Sequence, residues 1–152
     1  MKFTPKKLNT FLLFKLPSAF FTGVRVTSIS DRKAMVRVKH RWISQNPFNS
    51  LYFGVQAMAA ELSTGLLVWK QVMESKEKIS MLVTKQTASF TKKGRGIVCF
   101  TCDEGGLINQ AIEETLKTKE GQIIILKSQG LNEKGEQVSV FEFEWSIKLK
   151  QR

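Results

Sequence analysis

Hydrophobic residues along this chain recur at two spacings, one typical of helices and one typical of strands. A nearly continuous apolar segment at residues 51–69 predicts one long helix that continues to about residue 73. An earlier segment predicts a helix that ends at Leu16-Pro17, and a shorter helix is predicted at residues 104–116. The residues of the first helix that we expect to pack inward are Phe11, Leu12 and Phe14.

The remaining segments are rich in β-branched and aromatic residues and predict six strands. Two of them lie on either side of a turn at residues 30–32, and four follow the long helix. We expect these four to form an antiparallel meander, with residues 92–96 as the turn between its two central strands and residues 132–135 closing its last hairpin. In the last strand the inward face is expected to hold Phe141, Phe143, Trp145, Ile147 and Leu149.

The second strand alternates between apolar and basic positions. One face is predicted to carry Val36, Val38, His40 and Trp42, and the other Arg37, Lys39 and Arg41. His40 is the only histidine, and no cysteine, aspartate or second histidine lies near it in sequence. A hydrogen-bonded histidine in the core or at its edge is therefore a better interpretation than a metal ligand, and we predict no metal site.

Composition limits the class of protein but does not choose a function. The 152 residues, 42% of them hydrophobic, suffice for one domain with a real core. The net charge of +11 favours an anionic partner, which nucleic acid, an anionic membrane surface and a polyphosphate compound all satisfy. Single-stranded nucleic acid requires exposed aromatic rings for base stacking, whereas the aromatics here alternate onto the core face. We therefore predict that nucleic acid is not the partner.

Cysteine usage and the N-terminus indicate where the protein is found. Cys99 and Cys102 form a C-x-x-C within a predicted strand, where residues three apart point to opposite faces. Two structural thiols are thus expected, which suits a reducing compartment. Lys15 and Pro17 interrupt the N-terminal apolar run, so it does not predict a signal peptide. No segment predicts a membrane span, because the longest candidate has an acid at its centre. We expect a cytoplasmic protein.

That acid, Glu61, is the only charged residue between Arg41 and Lys70. A carboxylate on an apolar helix must be desolvated, hydrogen-bonded or paired, and each of these shifts its pKa. We predict a raised pKa and a position in a pocket at a dimer interface. A carboxylate that only reaches solvent at an oligomer edge or cleft is the alternative. Small residues near it on one helix face, including Gly54, Thr64 and Gly65, would let a sheet approach closely. At the start of the helix, Asn49 or Ser50 is expected to act as the N-cap.

The predicted order of helix, two strands, long helix and four strands resembles the hotdog fold. This is an α+β fold in which a curved antiparallel sheet wraps around one central helix. Asn46, Tyr52 at plus six and Glu61 at plus fifteen resemble the Asn, His-Gly and catalytic Asp of phenylacetate-pathway-type acyl-CoA thioesterases. Residues 46–65 more closely resemble an uncharacterised branch of that superfamily, DUF4442. The resemblance covers the chain as a single domain, residues 1–152, with an N-terminal helix.

This resemblance implies hydrolysis of an acyl-CoA thioester, with Glu61 as general base or nucleophile. Backbone amides near Tyr52 and Gly54 would stabilise the oxyanion, Asn46 would orient water or brace its loop, and Thr64 or Ser63 would hydrogen-bond the carboxylate. Coenzyme A would be part of the substrate, and no separate cofactor is implied. Its phosphates would be held by Lys92, Lys93 and Arg95. Family active sites lie between subunits, which implies a homodimer or tetramer.

One departure from the family keeps a second function open. Tyr52 and Phe53 stand where the thioesterases have His-Gly, and two large rings in that turn would narrow or block the acyl tunnel. The alternative is therefore a non-catalytic hotdog protein that binds an acyl chain or coenzyme A.

Overall fold

A computed structural model describes residues 2–151 and contains four α-helices and six β-strands. The helices are α1 (Pro5–Lys15), α2 (Pro17–Phe21), α3 (Phe53–Ser75) and α4 (Gly105–Thr118). The strands are β1 (Arg25–Ile29), β2 (Ala34–Lys39), β3 (Ile79–Phe90), β4 (Ile97–Cys102), β5 (Gln122–Leu131) and β6 (Gln137–Leu149). A short 3-10 helix, Trp42–Ser44, follows β2.

All six strands form one antiparallel sheet in the order β1-β2-β4-β5-β6-β3. The expected meander is wrong in one respect, because β3 pairs with β6 and not with β4. Residues 92–96 are therefore a crossover from a sheet edge to its centre and not a hairpin turn between central strands. Backbone bonds hold this crossover against the segment before α3: Leu51 N–H donates to Gly94 O at 2.8 Å, and His40 N–H donates to Gly96 O at 2.7 Å.

The curved sheet wraps around α3, as the resemblance to the hotdog fold implies. The helix is apolar on most of its surface, and its middle, from Ala59 to Val68, is almost wholly buried. The inward residues of β6 meet it, and the predicted alternation of that strand is confirmed by its burial. β4 alternates in the same way, so that Cys102 is buried and Cys99 is half-buried on the opposite face.

The structure places several side chains differently from the sequence-based expectations. Phe14 is 73% exposed, because it lies about 200° around α1 from the buried Leu12. Trp42 is 83% exposed, since β2 ends at Lys39 and the 3-10 helix breaks the alternation. The Nε2 atom of His40 is buried and has no hydrogen-bond partner within residues 2–151.

The ends of two helices also differ from expectation. The hydrophobic pattern did not predict α2, which begins at Pro17. Proline is favoured at the first position of a helix, because the N–H group that it lacks would have no partner there. Tyr52, and not Asn49 or Ser50, is the N-cap of α3, and its side chain makes no capping bond. Among the described helices, none combines the length and apolarity needed to cross a membrane.

Candidate functional site

Glu61 lines a cavity between α3 and the junction of α1 with α2. The cavity has a volume of about 280 Å³. Apart from Glu61, its lining residues are Lys15, Leu16, Pro17, Ser18, Ala19, Met58 and Leu62. The proline that starts α2 thus forms one wall of a pocket whose other wall is α3. The side chain of Glu61 is only partly buried, so it keeps some contact with solvent.

The carboxylate lies over a position on α3 where a side chain is missing. A Cβ atom on Gly65 would lie 2.9 Å from Glu61 Oε1 and 3.2 Å from the Trp145 ring atoms Cη2 and Cζ2. Gly65 is one helical turn after Glu61, so the two residues share a face. Glycine therefore leaves a space that both the Glu61 carboxylate and the Trp145 indole of β6 approach.

Burial raises the pKa of Glu61 to about 6 from an ordinary value of 4.5. An apolar environment disfavours the charged form of a carboxyl group, and this is the direction expected from the sequence. Within the described chain, no N–H or O–H group donates a hydrogen bond to this carboxylate. The group is thus a weakly solvated base without a fixed partner.

The residues expected to bond the carboxylate have other roles. Thr64 Oγ1 donates to the backbone oxygen of Glu61 at 2.9 Å and accepts from Trp145 Nε1 at 3.1 Å. Ser63 Oγ lies 2.7 Å from Ser128 Oγ and donates to Ala60 O. Thr64 consequently positions the Trp145 indole, whose ring lies against Gly65, and does not bond the carboxylate itself.

The start of α3 presents unused backbone donors. The N–H groups of Phe53 and Gly54 have no acceptor among residues 2–151, and no side chain caps them. These groups lie at the positive end of the helix dipole and suit an oxyanion. The Tyr52 ring covers part of this end, since a Cβ on Gly54 would be 2.8 Å from Tyr52 Cε1.

A second cavity, of about 550 Å³, adjoins this helix start. It is lined by Asn46, Pro47, Phe48, Ser50, Leu51, Tyr52, Phe53, Gln56, Phe90, Thr91, Lys92, Lys93 and Gly94. Asn46 braces the loop before α3, because its Oδ1 accepts from the backbone N–H of Phe48 and of Ser50. Exposed rings of Phe48, Phe53 and Phe90 make the cavity apolar.

The three side chains predicted to bind phosphate differ in the partners that they already have. Lys92 forms an ion pair with Glu136. Lys93 lies over the Phe48 ring, 5.9 Å from its centroid, and Arg95 Nε donates to Asn49 O at 3.3 Å. Lys92 and Lys93 line the second cavity, whereas Arg95 does not.

The structure therefore divides the predicted site residues into two groups. Asn46, Tyr52 and Lys93 surround the cavity at the start of α3, while Glu61 lines the other cavity. Glu61 lies seven positions after Gly54 along the helix, a rise of about 10 Å. One thioester carbonyl does not reach both ends of that interval within one chain.

Sequence reasoning missed the α1–α2 junction, which lines the cavity at Glu61, and Trp145, whose indole lies against Gly65. The pattern placed Trp145 inward but not against a particular helix position. Pro17 was the available signal for the junction, because proline is favoured in the first turn of a helix.

The fold that these elements define is the hotdog fold, and solved structures share it along the full chain. PA5026 of Pseudomonas aeruginosa, a protein of unknown function described as a probable thioesterase, has 18% identity and a TM-score of 0.80, over 97% of each chain. OLEI01261 of Chlorobaculum tepidum TLS, of unknown function, has 16% identity and a TM-score of 0.81, over 97% of this chain and 94% of its own.

A third structure, the thioesterase HI1161 of Haemophilus influenzae, has 14% identity and a TM-score of 0.74, over 98% of this chain and 93% of its own. None of the curated proteins matches the chain significantly. Residues 5–147 match the family described as Domain of unknown function (DUF4442). The protein belongs to this family.

Proposed function

We propose that the protein hydrolyses acyl-CoA thioesters, with Glu61 as general base or nucleophile. The observation that carries the proposal is the Glu61 carboxylate: it is partly buried over Gly65, lacks a donor within the described chain and has its pKa raised to about 6. A base whose pKa lies near neutrality is ionised at pH 7 and still holds a proton well in the transition state. Solved hotdog structures described as thioesterases agree with this class of reaction.

As general base, Glu61 takes a proton from water while the water oxygen attacks the thioester carbonyl carbon. The tetrahedral intermediate then collapses, the carbon–sulfur bond breaks, and the thiolate takes the proton back from Glu61. As nucleophile, the carboxylate attacks the carbonyl directly and expels the thiolate, and water then hydrolyses the resulting anhydride. Both routes need a donor for the negative carbonyl oxygen.

The N–H groups of Phe53 and Gly54 are our candidates for that donor. Removing one oxyanion donor typically costs about 3 kcal/mol of transition-state stabilisation. Because these groups lie about 10 Å along the helix from Glu61 of the same chain, we propose that each active site combines Glu61 of one subunit with the start of α3 of another. Asn46 acts in this site by bracing the loop that leads into α3.

A homodimer is the minimal assembly for such a site. β3 is an edge strand of 12 residues, and residues 84–90 are exposed on both faces. An uncovered edge of this length is a ready surface for pairing with a second strand. Pairing of β3 with its copy would bring a second subunit alongside the exposed rings at the start of α3. A tetramer remains compatible with the same contact.

The coenzyme A portion of the substrate is assigned to the cavity at the start of α3. Lys93 and Arg95 offer positive charge to its phosphates, and Lys92 would do so after release from Glu136. We also propose a cytoplasmic location, because Cys99 and Cys102 are free thiols. Nucleic acid and a membrane are not part of this proposal.

The decisive test is hydrolysis of a panel of acyl-CoAs by the wild type and Glu61→Gln. Glutamine keeps the shape of the side chain and removes its charge and basicity, so we expect turnover to fall by at least 10²-fold with coenzyme A binding preserved. Glu77→Gln, at an exposed position after α3, is the control for the loss of one negative charge. Equal turnover in wild type and Glu61→Gln would eliminate Glu61 as the reacting group.

A binding protein without catalysis is the second candidate, and the Tyr52 ring favours it. Since that ring lies over Gly54, it narrows access to the helix start. Under this alternative the wild type binds acyl-CoA and shows no turnover with any member of the panel. Tyr52→Gly would then widen the site and produce turnover that the wild type lacks.

A further inference from the structure

Four basic side chains gather around a small cavity on the outer side of the sheet, away from both cavities described above. The cavity has a volume of about 140 Å³ and is lined by Gly23, Arg25, Arg37, Lys39, Arg41 and Ile97. None of these residues lines the cavity at Glu61 or the one at the start of α3. No acidic residue lines it either.

The backbone register forces two of these cations together. Arg25 of β1 and Arg37 of β2 are directly opposite each other in the antiparallel ladder. Like charges directly opposite on neighbouring strands destabilise a sheet. Arg41 adds to the effect: burial and the nearby charges of Arg41 and Arg37 lower the pKa of Arg25. The fold therefore tolerates a repulsive arrangement that a bound anion would relieve.

One of the four cations is held rigidly. Arg25 Nη1 donates to the backbone oxygens of Phe20 at 2.6 Å and Val24 at 2.8 Å. The guanidinium also lies over the Phe20 ring, 3.8 Å from its centroid. A guanidinium that is already fixed loses less freedom when it binds an anion, and its remaining N–H groups are free to donate. The ion pairs formed within residues 2–151 involve none of the four cations.

We propose that Arg25, Arg37, Lys39 and Arg41 form a binding site for a phosphoryl group. Several cations with no acidic neighbour match the two negative charges of a phosphate monoester, and guanidinium groups bind its oxygens through paired hydrogen bonds. The small cavity suits one phosphate or a pyrophosphate. This site does not depend on thioester hydrolysis, because it shares no residue with Glu61 or its surroundings.

The test is calorimetric titration of the full chain with inorganic pyrophosphate at fixed ionic strength. We expect the wild type to bind, and Arg37→Gln and Lys39→Gln each to weaken binding by about 10-fold, the factor that corresponds to 1.4 kcal/mol. Lys117→Gln removes the same charge from an exposed position on α4 and should change binding less than twofold. Lack of binding by the wild type, or equal weakening in Lys117→Gln, would overturn the proposal.

Thermal unfolding separates a binding role from a structural one. Without pyrophosphate, Arg37→Gln should unfold at a temperature equal to or above that of wild type, because the variant loses a repulsive pair. Pyrophosphate should raise the unfolding temperature of the wild type, and at the same concentration it should raise that of Arg37→Gln less. If Arg37→Gln unfolds at a lower temperature and responds fully to pyrophosphate, Arg37 is structural and the proposal is wrong.

Three further ligands identify the source of the phosphoryl group. Weaker binding of coenzyme A, but not of dephospho-coenzyme A, in Lys39→Gln would assign the site to the 3′-phosphate of the nucleotide. Unchanged binding of both by Lys39→Gln, with pyrophosphate binding weakened, would assign it to a separate phosphorylated compound. Binding of an oligonucleotide that depends on Arg37, without pyrophosphate binding, would contradict the proposal and indicate a nucleic-acid surface.

Discussion

The Glu61 carboxylate occupies space that Gly65 leaves open on the next turn of α3. A Cβ atom on Gly65 would lie 2.9 Å from Glu61 Oε1, closer than a real Cβ contact. The same atom would touch the Trp145 ring at 3.2 Å. The position of the acid therefore depends on the absence of a single methyl group between a helix and a strand.

Gly65→Ala tests this dependence. We expect the methyl group to displace the carboxylate or the indole, which costs about 1–3 kcal/mol. Because alanine also favours the helix by about 1 kcal/mol, the net loss of stability should be at most about 2 kcal/mol. Thioesterase turnover should fall at least 10-fold while the protein remains folded. The measurements are chemical denaturation and the acyl-CoA assay.

Gly106→Ala is the matched control, since Gly106 is also helical and a Cβ there meets nothing within 4 Å. It should be neutral or stabilise the protein by about 0.5–1 kcal/mol, because alanine favours the helix. A stabilising effect of Gly65→Ala with full turnover would show that Glu61 does not need this space.

The stability of Glu61→Gln should depend on pH relative to wild type. Because the folded pKa, about 6, is above the ordinary 4.5, the contribution of Glu61 to stability is fully present below pH 4.5 and is lost as the pH rises through 6. The shift corresponds to about 2 kcal/mol. The free energy of unfolding of Glu61→Gln should therefore rise relative to that of the wild type between pH 4 and pH 7, by up to about 2 kcal/mol.

Urea denaturation at several pH values measures this difference. Glu77→Gln, which removes an exposed carboxylate, serves as the reference variant. A difference between Glu61→Gln and wild type that is independent of pH would mean that burial does not perturb Glu61.

Thr64→Val should destabilise the protein by about 1–3 kcal/mol, because it leaves the buried Nε1 of Trp145 without an acceptor. Thr115→Val is the control: Thr115 is also buried, but its hydroxyl bonds only to Ala111 O of its own helix. We expect a smaller loss there. Denaturation followed by tryptophan fluorescence compares the two, and equal losses would show that the Trp145 bond contributes nothing.

Phe53→Pro should reduce turnover by about 10²-fold by removing one oxyanion donor. Proline fits the first helical position, and Tyr52, at φ −64° and ψ 136°, already has the extended backbone that a residue before proline adopts. Phe53→Ala removes the ring but keeps the N–H, so it should retain most of the turnover. Equal loss in both variants would assign the effect to the ring.

Mixing two inactive variants tests whether the site is shared between subunits. In a heterodimer of Glu61→Gln and Phe53→Pro, a shared site pairs an intact Glu61 with an intact helix start at one of its two positions. Turnover should then return to about half of the wild-type value per heterodimer. If each chain holds a complete site, both positions stay defective and mixing restores nothing. Differently tagged chains, co-expressed and purified through both tags, provide the sample.

The local sequence pattern was sufficient to predict those structural features that depend only on residues close in sequence. The alternation of β6 predicted its buried face, because a strand with one side on the core must alternate. The apolar run around Glu61 predicted a long central helix and a perturbed carboxylate, since a lone charge there loses water wherever the helix packs.

Tertiary structure decided what depends on partners distant in the chain. A strand's pattern does not state which strand lies beside it, so the pairing of β3 with β6 was missed. Trp145 lies 84 positions from Glu61, and both approach the space at Gly65 only because β6 crosses α3 there. The repulsive pair of Arg25 and Arg37 exists only in the register of β1 with β2. Hydrophobic spacing determines which face of an element is buried, whereas close packing determines which atoms meet there.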